Sequence, residues 1–214
     1  MRCILINARI PLMPKRSAQA RARKIKLLLF DVDGVLTDGK LFFVPEDSPK
    51  VGAPSSPERT AQSQIEVKGF NAHDGVASSL SRIAGLKTGL ITRRVSETVA
   101  LRARDLKLEH VHQGIQDKRA CFEEVVKQEG LKLEEAAFVG DDVIDLPAMR
   151  AAGLAIAVKN ARAEVKKEAH FVTPHGGGDG ALRDAVEFIL KAQGKLKKVV
   201  EAYIGESSQK KSVE

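Results

Sequence analysis

Leu27-Leu28-Leu29-Phe30-Asp31-Val32-Asp33-Gly34-Val35-Leu36-Thr37-Asp38-Gly39 is the stretch on which the fold turns. A short apolar run that ends in a turn signal reads as a strand buried on both faces. It passes directly into Asp-x-Asp-Gly, and because x points the opposite way, Asp31 and Asp33 can face one pocket at the strand's carboxyl end. Two carboxylates so placed suit a metal and a phosphate. Alone, the triplet reads equally well as a polar turn after a core strand, since Asp-Gly is a turn signal in its own right.

The rest of the chain repeats the alternation that begins here. Short apolar runs at Ile25 to Phe30, Lys87 to Ile91, Glu109 to His112, Ala136 to Val139, Leu154 to Val158 and His170 to Val172 alternate with amphipathic segments. Those segments carry apolar residues at three-to-four spacing: Val76, Leu80, Ile83; Val95, Val99, Leu106; Cys121, Val125, Val126; and Leu182, Val186, Ile189. The alternation predicts βαβ units in an α/β, doubly wound parallel sheet, whose ligands sit at the strands' carboxyl ends. Ser96, Asp117 and Asp145 suit helix starts, and Pro147 suits a first turn. One interruption, Leu41 to Val44 and Ile65 to Lys68, predicts a small β-hairpin insertion over about 41–68. Its 45–64 loop is rich in Pro and Ser, as a mobile hairpin tip would be.

Composition narrows the class. With 214 residues, 43% hydrophobic and 29% charged, the chain can bury one core and has no apolar run of spanning length. Aromatic residues make up 4%, with no Trp, which argues against recognition of nucleic acid by stacking. Cys3 and Cys121 form neither a disulfide framework nor a zinc pattern, so the expectation is a reducing, cytoplasmic setting. The net charge of +7 is local: residues 1–30 hold eight of the 35 basic residues and no acidic one, leaving 27 basic against 28 acidic elsewhere. This arm could touch nucleic acid or anionic lipid, resemble a transit peptide, or precede a start at Met13. The division expected is a flexible basic extension over 1–23, one domain over 24–193, and a partly disordered tail over 194–214.

Three further strand ends carry groups that complement Asp31 and Asp33. Leu90-Ile91 ends in Thr92-Arg93-Arg94, a hydroxyl and cations at a helix start, suited to an anion. Asp117-Lys118 offers an ammonium that could reach a phosphate. Phe138-Val139 runs into Gly140-Asp141-Asp142, with Asp145 one turn later, a set of hard oxygen donors suited to Mg²⁺. Singly, Thr92 could be a helix cap and Lys118 a solvated charge; together, in this order, they reinforce one another.

The series Asp31-x-Asp33, Thr92, Lys118 and Gly140-Asp141-Asp142-x-x-Asp145 resembles the four motifs of the haloacid dehalogenase-type phosphohydrolases. Asp31 to Gly39, Phe70-Asn71-Ala72-His73-Asp74-Gly75, Gly140 to Pro147 and His175 to Lys195 are similar, more closely, to the 3-deoxy-D-manno-octulosonate 8-phosphate phosphatase family, a capless branch. The resemblance spans about Lys24 to Lys198 and implies a residue-by-residue assignment. Asp31 would be the nucleophile that forms an aspartyl-phosphate, and Asp33 the general acid and then base. Mg²⁺ would be held by the carboxylates of Asp31 and Asp141 and the backbone carbonyl of Asp33. Thr92 and Lys118 would bind phosphoryl oxygens, and Asp142 and Asp145 would orient waters and Lys118.

For the sugar-acid phosphate, the resemblance implies contacts with Asn71, Ala72, His73, Asp74, Gly75, Arg94 and Arg102, alongside Asp33 and Lys118. His73 and Arg93 depart from the family pattern, where Arg and Gly are common. Family assembly implies a homotetramer, with the C-terminal segment over a neighbouring site. A nine-carbon sialic-type acid 9-phosphate is the rival substrate, and a nucleic-acid-binding protein with a vestigial site the rival class. His110 and His112 lack a third metal ligand at useful spacing, and Cys121 reads as core. Gly176 to Gly180 is expected to be a hinge rather than a phosphate cradle.

Overall fold

A computed structural model describes residues 17–45 and 64–210. The strand that opens the chain's logic is β1, Leu27–Phe30, and all four of its residues are buried. Its neighbours are β4 (Lys87–Ile91), parallel with Leu27 opposite Lys87, and β6 (Ala136–Gly140), parallel with Leu27 opposite Ala136. With β5 (His110–His112), β7 (Leu154–Ala157) and β8 (Phe171–Val172), the parallel sheet has the order β5-β4-β1-β6-β7-β8. The chain leaves β1 toward β4 on one side and leaves β6 toward β7 on the other. The crevice between the carboxyl ends of β1 and β6 is therefore the switch point where such sheets bind ligands.

Helices cover both faces. On one, α2 (Ala72–Ala84), α7 (Ala181–Ala192) and α8 (Leu196–Lys210) pack together with α1 (Ala18–Ala22), and α3 (Glu97–Leu106) lies beside α2. On the other, α4 (Lys118–Gln128), α5 (Leu146–Ala151) and α6 (Ala163–Glu168) pack in sequence. The α7 stripe predicted from spacing is real: Leu182, Val186 and Ile189 are all buried. Cys121 is half-buried against the core. The hairpin is antiparallel, β2 (Phe42–Pro45) on β3 (Gln64–Val67), and its tip at 46–63 lies outside the described residues.

Two terminal expectations change. The basic segment expected to be an extension through residue 23 is structured from Ser17: Ser17 caps α1, Ala22 is fully buried, and Arg21 Nη1 donates to the Gly153 carbonyl at 2.7 Å. Small alanines let α1 sit close to α7, which charge counting does not register. Past Gly194, where a partly disordered tail is expected, the chain forms helix α8 with Val199 buried, and residues 211–214 lie outside the described residues. Residues 1–16, with four of the basic arm's charges and Cys3, also lie outside them. No described helix is long and apolar enough to cross a membrane.

Candidate active site

The four motif segments converge at the carboxyl end of the sheet because their strands are neighbours. Asp31 follows β1, Asp141 follows β6, Thr92 follows β4, and Lys118 opens α4, capped by Asp117, which accepts from the Ala120 amide at 3.0 Å. Asp31, Thr92, Lys118 and Asp145 are all buried polar residues. Lys118 Nζ donates to Asp31 Oδ2 at 2.8 Å and to Asp145 Oδ1 at 2.6 Å. Asp145 Oδ2 accepts from the amides of Asp141 and Asp142 at 3.0 and 3.3 Å. Asp145 thus ties the ammonium to the Asp141 loop. Asp142 is exposed and turns to its own loop, accepting from the Val143 amide.

Two glycines make the approach possible. A Cβ on Gly34, which has φ +90°, would lie 2.2 Å from Asp141 Oδ2, so a side chain there would push Asp141 from the cluster. A Cβ on Gly177 would meet the Gly34 carbonyl oxygen at 1.8 Å. The 176–180 loop accordingly packs on the Asp33 turn, with the Gly178 amide donating to the Val35 carbonyl at 3.1 Å, and then starts α7.

Burial pushes the Asp31 carboxyl up to about 6, helped by the charge of Asp145 and opposed by Lys118. Burial also pushes Asp141 up to about 7, helped by Asp145, Asp31 and Asp142. Burial alone would lower Lys118, but Asp31 and Asp145 outweigh it and hold the ammonium above its ordinary value. Such a crowded set of acids asks for a further positive charge.

The donors fit a hard divalent cation. Asp31, Asp141 and Asp145 each offer an oxygen within 4.8 Å of the others, and Asp31 Oδ1 is buried without a hydrogen-bond partner. Because Asp145 already serves Lys118 and two amides, Asp31 and Asp141 have the free capacity. All-oxygen donors of this kind suit Mg²⁺.

The remaining predicted contacts divide. Asn71 caps α2, accepting from the His73 amide at 2.8 Å, and its amide lies 3.4 Å from the Gly178 carbonyl. Ala72 and His73 are exposed, and Gly75 is half-buried. Asp74 and Arg102 each hold a contact within the fold, and Asp74 Oδ2 and Arg102 Nε are buried without a hydrogen-bond partner. Asp74 is fully buried and accepts from the Arg183 amide at 3.1 Å, at the start of α7; burial pushes it up to about 6. Arg102 donates to the Asn71 carbonyl at 3.3 Å and lies over the Phe70 ring, bracing this segment. Arg94 is near the site but engaged with Glu66 at 2.7 Å and Asp33 at 3.5 Å. Arg93 is exposed and bound to Gln116.

Sequence reasoning missed Lys68 and Glu66. Lys68 Nζ is 2.5 Å from Asp33 Oδ1 and 3.4 Å from Glu66 Oε1, with its side chain 1% exposed. The signal that could have found them is the alternation Ile65-Glu66-Val67-Lys68, which puts Glu66 of β3 and Lys68, just past its end, on one side of the strand.

His110 and His112 stack on the β5 edge, and His110 Nε2 lies 2.7 Å from Glu129 Oε1. Among the described residues, Asp31, Asp141 and Asp145 are the acidic cluster fit for a metal, and these histidines are not in it.

The family model for haloacid dehalogenase-like hydrolases matches residues 62–183. The 3-deoxy-D-manno-octulosonate 8-phosphate phosphatase of Escherichia coli K12 is 33% identical over 83% of this chain and 85% of its own length. A crystal structure of that enzyme from Moraxella catarrhalis, in complex with magnesium, phosphate and KDO, superposes with a TM-score of 0.75. It is 32% identical, covering 87% of this chain and 97% of that one. The cobalt-bound form of the Haemophilus influenzae enzyme gives a TM-score of 0.70 at 31% identity, over 82% and 92% of the two chains. The chain belongs to the haloacid dehalogenase-like hydrolases, and within them to the 3-deoxy-D-manno-octulosonate 8-phosphate phosphatase family.

Proposed function

We propose that this chain is a Mg²⁺-dependent phosphatase that cleaves 3-deoxy-D-manno-octulosonate 8-phosphate into the free sugar acid and phosphate, a step in making lipopolysaccharide precursors. The observation that carries the proposal is the buried Asp31–Lys118–Asp145 chain at the β1/β6 switch point, with Asp31 Oδ1 left unpartnered beside Asp141. An Asp31 carboxylate oxygen attacks phosphorus, the bond to the sugar oxygen breaks, and that oxygen leaves with a proton from Asp33. Water then gives a proton to Asp33 and attacks phosphorus, releasing phosphate and restoring the Asp31 carboxylate. One hard substitution becomes two easier ones.

Lys118 and Thr92 hold the phosphoryl oxygens, Lys118 kept charged and aimed by Asp145. Asp31, Asp141 and the Asp33 carbonyl would hold Mg²⁺, which supplies charge neutralisation for an anion meeting an anionic nucleophile. Asn71, Ala72, His73, Gly75 and Arg94 border the site and contact the sugar acid. Asp74, which accepts from the Arg183 amide, and Arg102, which donates to the Asn71 carbonyl, hold that border in place.

The exposed apolar residues Phe42, Val44, Ile65 and Val67 share one hairpin face, as the cross-strand pairs Phe42–Val67 and Val44–Ile65 require. That face supports self-association into a homotetramer, and the cytoplasm is the compartment that fits a sequence whose two cysteines form no disulfide framework. Phosphate release from a panel of sugar-acid phosphates at matched Mg²⁺ tests the reading. The eight-carbon acid should give the highest kcat/KM, and a higher value for a nine-carbon acid 9-phosphate would reassign the substrate.

A further inference from the structure

The hairpin has two unlike faces. Ile65 and Val67 point outward and are about half exposed, while Glu66 and the Lys68 side chain turn in toward Asp33. Asp33 sits on a turn rather than a strand, so nothing in its own backbone fixes its carboxyl group. Two cations from other elements do: Lys68 Nζ at 2.5 Å from Oδ1 and Arg94 Nε at 3.5 Å from Oδ2. Glu66 in turn holds both, at 3.4 Å from Lys68 and 2.7 Å from Arg94. Glu66 is itself fixed, because the Ser96 hydroxyl donates to its other oxygen and Thr98 Oγ1 donates to its backbone carbonyl at 3.3 Å. Burial pushes Glu66 up, but Ser96, Arg94 and Lys68 outweigh it and hold it below its ordinary value as a standing anion.

We propose that Lys68, anchored by Glu66, is the positioning residue for Asp33, so that strand β3 of the hairpin sets the geometry of proton transfer to the leaving group. The proposal rests on the acid role given to Asp33 above. A buried ammonium without a counter-charge is strongly unfavourable. Glu66 gives Lys68 a second counter-charge beside Asp33, so the ammonium is held from two sides. A carboxyl that must meet one particular oxygen gains most from being held, because small misplacements cost large factors in rate.

The test measures first-turnover ester cleavage by rapid quench in Lys68→Met, Lys68→Arg, Glu66→Gln and Asp33→Asn, at saturating Mg²⁺. Two substrates are compared: the sugar-acid phosphate, whose alkoxide needs a proton, and p-nitrophenyl phosphate, whose phenolate leaves without one. Lys68→Met should lower the sugar-acid phosphate rate at least about tenfold more than the nitrophenyl rate, a fraction of the roughly 10² to 10⁴ available to general acids. Lys68→Arg should recover most of the difference, Glu66→Gln should fall between, and the sugar substrate's KM should change little. If Lys68→Met does not fold, Lys68→Gln takes its place. Equal losses on both substrates, or no loss on either, while Asp33→Asn separates them would overturn the role of Lys68 alone. Failure of Asp33→Asn to separate the substrates would refute the acid role itself, and this proposal with it.

Discussion

Lys118→Met probes the electrostatics of the site most sharply, since it removes the ammonium lying 2.8 Å from Asp31 and 2.6 Å from Asp145 while keeping a side chain of similar length. Both partners are buried, and breaking such a pair costs about 3–5 kcal/mol. In a domain of this size about 1 kcal/mol moves the unfolding midpoint by roughly 2–4 °C. The metal-free variant should therefore unfold about 6–20 °C below the wild type near pH 8. The deficit should depend on pH with a definite sign. Asp31 and Asp141 titrate at about 6 and about 7 in the folded chain, above their ordinary value of 3.8. The folded state then holds more protons than the unfolded one, so stability is lost as pH rises from about 4 through about 7. Near pH 5 both acids carry protons, repulsion is relieved, and the deficit should shrink to less than about half. Saturating Mg²⁺ should return part of it at high pH. Calorimetry with chelator and with Mg²⁺, at both pH values, is the assay. A midpoint within about 2 °C of the wild type, or the same deficit at both pH values, would refute the reasoning.

Three other outcomes follow from the same contacts. Mg²⁺ must displace protons from Asp31 and Asp141, so its Kd should rise about tenfold per pH unit below about 7, and more steeply below about 6; calorimetric titration in two buffers reads the released protons, and a constant Kd across this range would contradict it. A chain beginning at Lys24 loses α1 and should unfold several degrees below one beginning at Ser17, by about 1–3 kcal/mol; equal midpoints would show that α1 contributes nothing. Phe42→Ser with Ile65→Ser should shift the light-scattering mass toward the monomer, and an unchanged mass would remove the hairpin face from the assembly.

Particular elements explain what could be read from the chain and what could not. Strands such as Leu27–Phe30 and Leu154–Ala157 are legible because parallel strands are buried on both faces and appear as unbroken apolar runs. Asp31, Asp141 and Asp145 are legible because each closes or follows such a run, Lys118 because it opens a helix after the next strand, and neighbouring strands bring those ends together. Helix α6 carries only six residues and one buried side chain, Val165, too little for a periodic signal. The contact between Asp74 and the Arg183 amide joins residues 109 positions apart, which local spacing does not encode. Lys68 escapes notice because its partner Asp33 is 35 positions away and joined only through the hairpin.

The central claim is that Asp31 carries the phosphoryl group. Acid quench of enzyme turning over the sugar-acid phosphate, followed by borohydride reduction, converts an aspartyl-phosphate to homoserine, which peptide mass spectrometry assigns to a position. Homoserine at residue 31, absent from Asp31→Asn and from enzyme without substrate, is the expected result. Homoserine at another acidic residue, or full turnover by a metal-replete Asp31→Asn with no trapped peptide, would contradict the mechanism.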